Sequence, residues 1–176
     1  MKQNKVDFKQ KLASGQHIEY AVADHLQQLL PDCKVINTPQ DNDIDRFIYS
    51  LVDVVVVRND HILLGIECKY GREKLMNCLK RNGWDGDYNT VINASSLHKY
   101  KQATFPVYVM NFNSFCQKVL VADLPTVLNS PNDGGKNIKS SGEVRYNIDS
   151  RNWMIYSGDI HLKDILVDIL KKEKLC

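Results

Sequence analysis

Three residues carry most of the chemistry that this sequence offers: Asp53, Glu67 and Lys69, the last two one position apart. The two carboxylates and the backbone carbonyl of Cys68, which lies between Glu67 and Lys69, form a set of hard oxygen donors. Such a set suits Mg²⁺, which takes few carboxylates and keeps several of its waters. An ammonium beside it could position a hydroxide nucleophile or neutralise charge on a phosphorane-like transition state. Glu19 is a fourth candidate, able to hold a second metal or a metal-bound water if a helix brings it to the same place.

The segment that must position these groups is Leu51 to Lys69, LVDVVVVRNDHILLGIECK. It predicts two strands, Val52 to Val57 and His61 to Ile66, joined by a turn at Arg58-Asn59-Asp60. Alternation puts Glu67 and Lys69 on one face, and Ile62, Leu64, Ile66 and Cys68 on the other, facing a core. Directly opposed residues of an antiparallel pair share a face, so the loop decides whether Asp53 meets Glu67. A three-residue loop, Asn59-Asp60-His61, would allow it. A two-residue loop would oppose Asp53 to Ile66 unless a β-bulge intervened, for which Gly65 is a plausible place.

Upstream, residues 6–30 predict a helix with Ile18, Val22, His25, Leu26 and Leu29 on one side and Pro31 as the stop. Glu19 lies at the border of that apolar face, and Gly15 leaves a close-approach surface on the same side. Cys33 to Ile36 is a short strand candidate. Asn37 to Arg46 is an Asp- and Asn-rich connection without the glycine or terminal glutamate of an EF-hand loop.

Downstream, Arg72 to Lys80 predicts a short helix broken by the segment Asn82 to Gly86. Tyr88 to Ala94 is extended, and Ser95 and Ser96 are expected to cap a short helix bearing Leu97, Tyr100 and Lys101. Phe105 to Phe112 is a buried strand, Lys118 to Val121 another, and Leu124 to Leu128 a helical turn. Asn129 to Gly142 has the composition of a loop. Glu143 to Ile148 and Asn152 to Tyr156 alternate like a second hairpin. Leu162, Ile165, Leu166, Ile169 and Leu170 form the stripe of a closing amphipathic helix. The expectation is an α/β fold, a central mixed sheet flanked by helices, in a single domain over 1–176. Its core spans about 10–112, with a hairpin-and-helix extension over 118–176.

Composition is that of an ordinary soluble protein of 176 residues with a formal net charge of +2. No run is long enough to span a membrane, and the polar opening is no signal peptide, so a cytoplasmic location is expected. Five scattered cysteines, Cys33, Cys68, Cys78, Cys116 and Cys176, form no CxxC pair and suggest reduced, mostly buried thiols. Positive charge clusters at Lys2, Lys5, Lys9 and Lys11 and again at Lys69, Arg72, Lys74, Lys80 and Arg81, usually the sign of a solvated face.

Other chemistries lack their residues. The histidines show no HxxxH or Cys/His pairing that would make a zinc site, and His25 is expected as a satisfied core residue. No serine elbow or dinucleotide glycine turn is present. Gly134-Gly135-Lys136 lacks the phosphate-loop spacing. Cys68 points toward the core and is not a nucleophile candidate. Trp84 and Trp153 are expected to pack.

The order Gly15-x-x-x-Glu19 on a helix, then Asp53, then Glu67-Cys68-Lys69 resembles the PD-(D/E)XK phosphodiesterase superfamily. The layout looks closest to its small endonucleases and Holliday-junction resolvase-like members, over roughly residues 10–112. The resemblance implies a restriction-endonuclease-like core in which Asp53 and Glu67 bind Mg²⁺, with Mn²⁺ as a substitute. It implies that Lys69 supports catalysis and Glu19 assists. Val52 stands where the family name has proline. A later helix often adds a basic or amide residue, and Lys101 or Gln102 could serve. Arg72 and Lys101 are the candidates for nucleic-acid contact.

Three function classes follow. The first is a Mg²⁺-dependent DNA endonuclease, with structure-specific cleavage as one form of it. The second is a binding module of the same fold without turnover, holding DNA or protein through its lysines, and the third an RNA-directed phosphodiesterase. Relatives often form homodimers, and the C-terminal stripe could serve that interface or pack on its own sheet.

Overall fold

The structure, a computed structural model, describes residues 8–38, 51–71, 88–113, 117–137, 142–157 and 161–176, with side chains described from residue 17 onward. Gly15 therefore lies in a described helix without described surroundings. Arg72, Trp84, Cys78, Cys116, most of the Asn37 to Arg46 connection and the helix expected over Arg72 to Lys80 lie outside the described residues.

Helix α1 (Phe8–Leu29) leads into β1 (Lys34–Asn37). The hairpin is β2 (Val54–Arg58) and β3 (His61–Gly71). Then come β4 (Asn89–Asn93), α2 (Ala94–Tyr100), β5 (Val107–Asn113), β6 (Lys118–Asp123) and α3 (Leu124–Asn129). The chain ends with β7 (Lys136–Asn137), β8 (Val144–Asp149), β9 (Met154–Ser157) and α4 (Leu162–Lys172). Among the described residues, six strands form one mixed sheet in the order β1-β2-β3-β5-β6-β9, with β3 and β5 its single parallel pair. β4, β8 and β7 form a second, small antiparallel sheet in the order β4-β8-β7.

Both faces of the large sheet are covered, which is why β2 has the continuous valine run of a buried strand. On one face, Val22, Leu26 and Leu30 of the α1 segment join Ile165, Leu166, Ile169 and Leu170 of α4 against Val54, Val56, Leu64, Ile66 and Met110. The C-terminal stripe thus packs on its own sheet. On the other face, Val55, Val57, Val109 and Leu120 meet Ile92, Tyr100, Val127, Ile148 and Trp153. Each such side chain taken out of water stabilises the fold by about 1.5–3 kcal/mol before entropy is counted.

The hairpin turns on two residues, Asn59 and Asp60, both with positive φ (50° and 62°). That is the backbone of a tight primed turn, which Asn and Asp tolerate. The bulge that a two-residue turn demands is present, at Leu63 rather than Gly65: Val57 pairs with Ile62 and Val56 with Leu64. The extra residue re-aims the strand. Leu63 therefore packs beside Leu64, while Ile62, expected on that face, joins the opposite cluster. Gly65 serves close packing, since a Cβ there would lie 2.7 Å from the Phe105 ring and 2.9 Å from Val52.

Several other expectations change. Ser95 and Ser96 lie inside α2, whose N-cap is Asn93. The second hairpin does not form, because β8 pairs with β4 and β7 whereas β9 pairs with β6. Alternation marks which face a strand buries and says nothing of its partner. The first part of Asn129 to Gly142 is packed: Ser130 is buried, and its hydroxyl accepts the Trp153 indole N–H at 3.0 Å. Asp133 accepts backbone N–H groups from Gly135 and Asn147, and Lys136–Asn137 adds a short strand. Cys33 is buried, but Cys68 is only partly so and Cys176 is exposed. His25 is half-buried with Nδ1 lacking a partner. No helix among the described residues is long and apolar enough to cross a membrane.

Candidate active site

The bulge decides the site. Beyond it the pairing runs Val56 with Leu64, Val55 with Gly65 and Val54 with Ile66, so the next opposed pair is Asp53 and Glu67. Both residues line one hollow of about 280 Å³, with Thr38, Leu51 and Val52 on one side and Ser96, Lys99 and Tyr100 of α2 on the other. Thr38 anchors the entry to β2, its N–H donating to the Asp53 carbonyl (2.9 Å) and its hydroxyl to the Val52 carbonyl (2.6 Å). Leu51 and Val52 are buried behind it.

Asp53 Oδ2 accepts the Cys68 N–H at 2.8 Å. The N–H and C=O of one strand residue point to the same side, so the Cys68 carbonyl also emerges toward Asp53. Gly65, of the other parity, donates its N–H to Pro106 on the β5 side, which fits that alternation. Lys69 Nζ is hydrogen-bonded to Glu67 Oε1, with Glu67 the more deeply buried partner. Glu19 is half-buried near both, and its Oε2 is buried without a hydrogen-bond partner.

Charge is crowded here. Burial, then the Glu67 carboxylate, pushes the Asp53 carboxyl up to about 8, against the pull of Lys69 and the Cys68 N–H. Burial and Glu67 likewise raise Glu19. For Lys69, burial alone would favour the neutral amine, but Glu67 and Asp53 outweigh it and the net shift is upward. Tyr100 is buried beside Glu67 and Ser96; burial and then the Glu67 charge keep its phenol protonated. Burial and the neighbouring carboxylates raise the Cys68 thiol, so it is no nucleophile.

The residues fit a divalent cation on these observations. Asp53, Glu67 and the Cys68 carbonyl are hard donors, and an Asp53 carboxyl whose charge is disfavoured by burial and by the facing Glu67 is what a cation would relieve. Among the described residues no group of three or more His, Cys, Asp or Glu is assembled for a metal, so protein carboxylates alone do not complete a shell. Mg²⁺ does not need them to.

The structure brings Asp53, Glu67 and Lys69 together, with Glu19 near. Lys101 is exposed and lines a different hollow. Gln102 bonds His98. Thr38, Ser96, Lys99 and Tyr100 were not anticipated at this site. Ser96, Lys99 and Tyr100 recur at i, i+3 and i+4, the spacing of one helical face, which is the signal that could have found them. No protein-family model matches the chain, and no curated protein matches it.

Proposed function

We propose that this chain is a divalent-metal-dependent phosphodiesterase of the PD-(D/E)XK type, with a restriction-endonuclease-like core, that cleaves DNA internally. The observation that carries the reading is the bulge-set register, which opposes Asp53 to Glu67 with Lys69 bonded to Glu67. Asp53, Glu67 and the Cys68 carbonyl would hold Mg²⁺ or Mn²⁺. Bound there, the ion would polarise the scissile phosphate and make water a stronger nucleophile.

The chain's own groups have separable roles. The Glu67 carboxylate and its hydrogen bond favour the charged form of Lys69, so Lys69 acts as a fixed cation rather than a base. It stabilises negative charge growing on the phosphoryl oxygens. Glu19 offers an unpartnered oxygen that can orient water. Lys99, exposed at the edge of the hollow, meets the incoming phosphate. Buried Tyr100, Leu51 and Val52 wall the site against bulk water.

The test is a cleavage assay on supercoiled plasmid, branched DNA and RNA, with Mg²⁺, Mn²⁺ or chelator. Metal-dependent nicking of DNA is the expected result. Cleavage of RNA alone would reassign the substrate, and binding without cleavage of any substrate would make the chain an inactive module.

A further inference from the structure

Helix α2 separates two hollows. The Asp53–Glu67 hollow touches Ser96, Lys99 and Tyr100. A second, of about 260 Å³, touches Leu97, His98 and Lys101. Lys99 and Lys101 lie two positions apart, about 200° around the helix axis, which is why they open on different sides. The second hollow is mixed in character: Leu97, Val127 and Ile148 give it apolar patches, the Tyr146 ring of β8 forms part of its wall, and Asn132 adds an amide. Lys101 and His98, both exposed, bring cationic or polar groups to it, and Gln102 shares a 3.0 Å hydrogen bond with the His98 ring. Leu128, also lining it, is 39% exposed, a large apolar side chain left in water.

A hollow with apolar patches, a phenol ring in its wall, an amide at its edge and a lysine beside it suits a flat aromatic ring with polar edges that carries a phosphate. We propose that this hollow seats an unpaired base of the nucleic acid whose phosphodiester enters the Asp53–Glu67 hollow. The strand crosses α2 with its phosphates against Lys99, His98 and Lys101. The inference rests on the phosphodiesterase reading and narrows its substrate class to nucleic acid with single-stranded nucleotides beside the cut. Packing of a base on apolar and aromatic side chains tolerates any sequence. A base within a duplex must first leave its stack.

The experiment uses a short single-stranded oligonucleotide containing 2-aminopurine, and the duplex of the same sequence, with chelator present so that neither is cut. The full chain should bind the single strand more tightly and change the 2-aminopurine fluorescence. Lys101→Glu, at an exposed position, should weaken single-strand binding roughly tenfold and duplex binding less. Ala94→Phe, which fills the hollow from the first turn of α2, should abolish the fluorescence change with an unaltered circular dichroism spectrum. Equal binding of single strand and duplex, with both variants like wild type, would overturn the proposal. If wild type cleaves DNA with metal while both variants bind as it does, the base hollow fails and the phosphodiesterase reading stands. If no substrate is cleaved yet the fluorescence change is present and lost in Ala94→Phe, the base hollow stands and the phosphodiesterase reading fails.

Discussion

The backbone N–H of Cys68 donates a 2.8 Å hydrogen bond to the carboxylate of Asp53, across the hairpin and one residue from Glu67. The bond does two things. It fixes the start of β2 where its ladder pairing ends, and it holds a half-buried carboxylate beside a second one. A structural pair of this kind costs stability in the metal-free protein, and that cost can be measured.

Asp53 is raised to about 8 in the folded chain, from an ordinary value near 3.8. The folded state therefore binds a proton that the unfolded chain has already lost between about pH 4 and pH 8. Stability without metal should fall as pH rises through that window, by at most about 1.4 kcal/mol per pH unit. Asp53→Asn should flatten the slope and raise stability at pH 8. Chemical denaturation in chelator across this range measures both, and an unchanged slope in the variant would count against the crowded-carboxylate account.

Glu67→Gln keeps the side chain's shape but removes an anionic ligand, so metal affinity and cleavage should both drop. Lys69→Ala should spare metal binding, or tighten it, and lower the cleavage rate by about 10²–10³-fold, the effect of deleting one donor aimed at developing charge. Glu19→Ala should be milder. Binding of nucleic acid should survive all three, because phosphate affinity is spread over many lysines. Cleavage rate and binding constant, measured in parallel at one salt concentration, test the set. Wild-type cleavage by either of the first two variants would remove the site.

Gly65→Ala should cost about 1–3 kcal/mol, because the new methyl meets Phe105 and Val52 at under 3 Å. A shift of the urea midpoint without a change in slope is the expected result. Neutrality would mean that the Phe105 ring gives way easily.

Ser130→Ala should cost about 1–3 kcal/mol by leaving the buried Trp153 indole N–H without its acceptor. Deleting the segment from Ser130 to Lys136 should destabilise further, contrary to its loop-like composition. Thermal unfolding followed by tryptophan fluorescence reports on both.

The hairpin, its buried valines and the shared face of Glu67 and Lys69 were legible because strand alternation is local. So was the need for an odd loop or a bulge, since opposing Asp53 to Glu67 demands one. The bulge's position was not, because it depends on how Asn59 and Asp60 turn and how Leu63 packs against the α1 side. Partnering was also hidden: β8 and β9 alternate alike but join different sheets. Thr38 looked like the edge of a solvated connection, yet its bonds to Val52 and Asp53 depend on β1 lying beside β2. Lys101 stood out by type and position, but Lys99 has the right rotation around α2.

The strand that carries Glu67 and Lys69 lies between an antiparallel neighbour formed by a tight turn and a parallel one reached only from Gly71 to Val107. Those two pairings have very different kinetics. The hairpin closes locally, within about 1–10 μs in isolated examples. The parallel pairing must first close a long stretch of chain, which slows folding. The strand that carries Glu67 and Lys69 is thus completed late, after Glu67 has already been brought to face Asp53. A divalent cation present during refolding should accelerate that final step to the extent that the Asp53–Glu67 pair forms early and repels. Refolding rates with and without Mg²⁺ would therefore report the order in which this sheet is built.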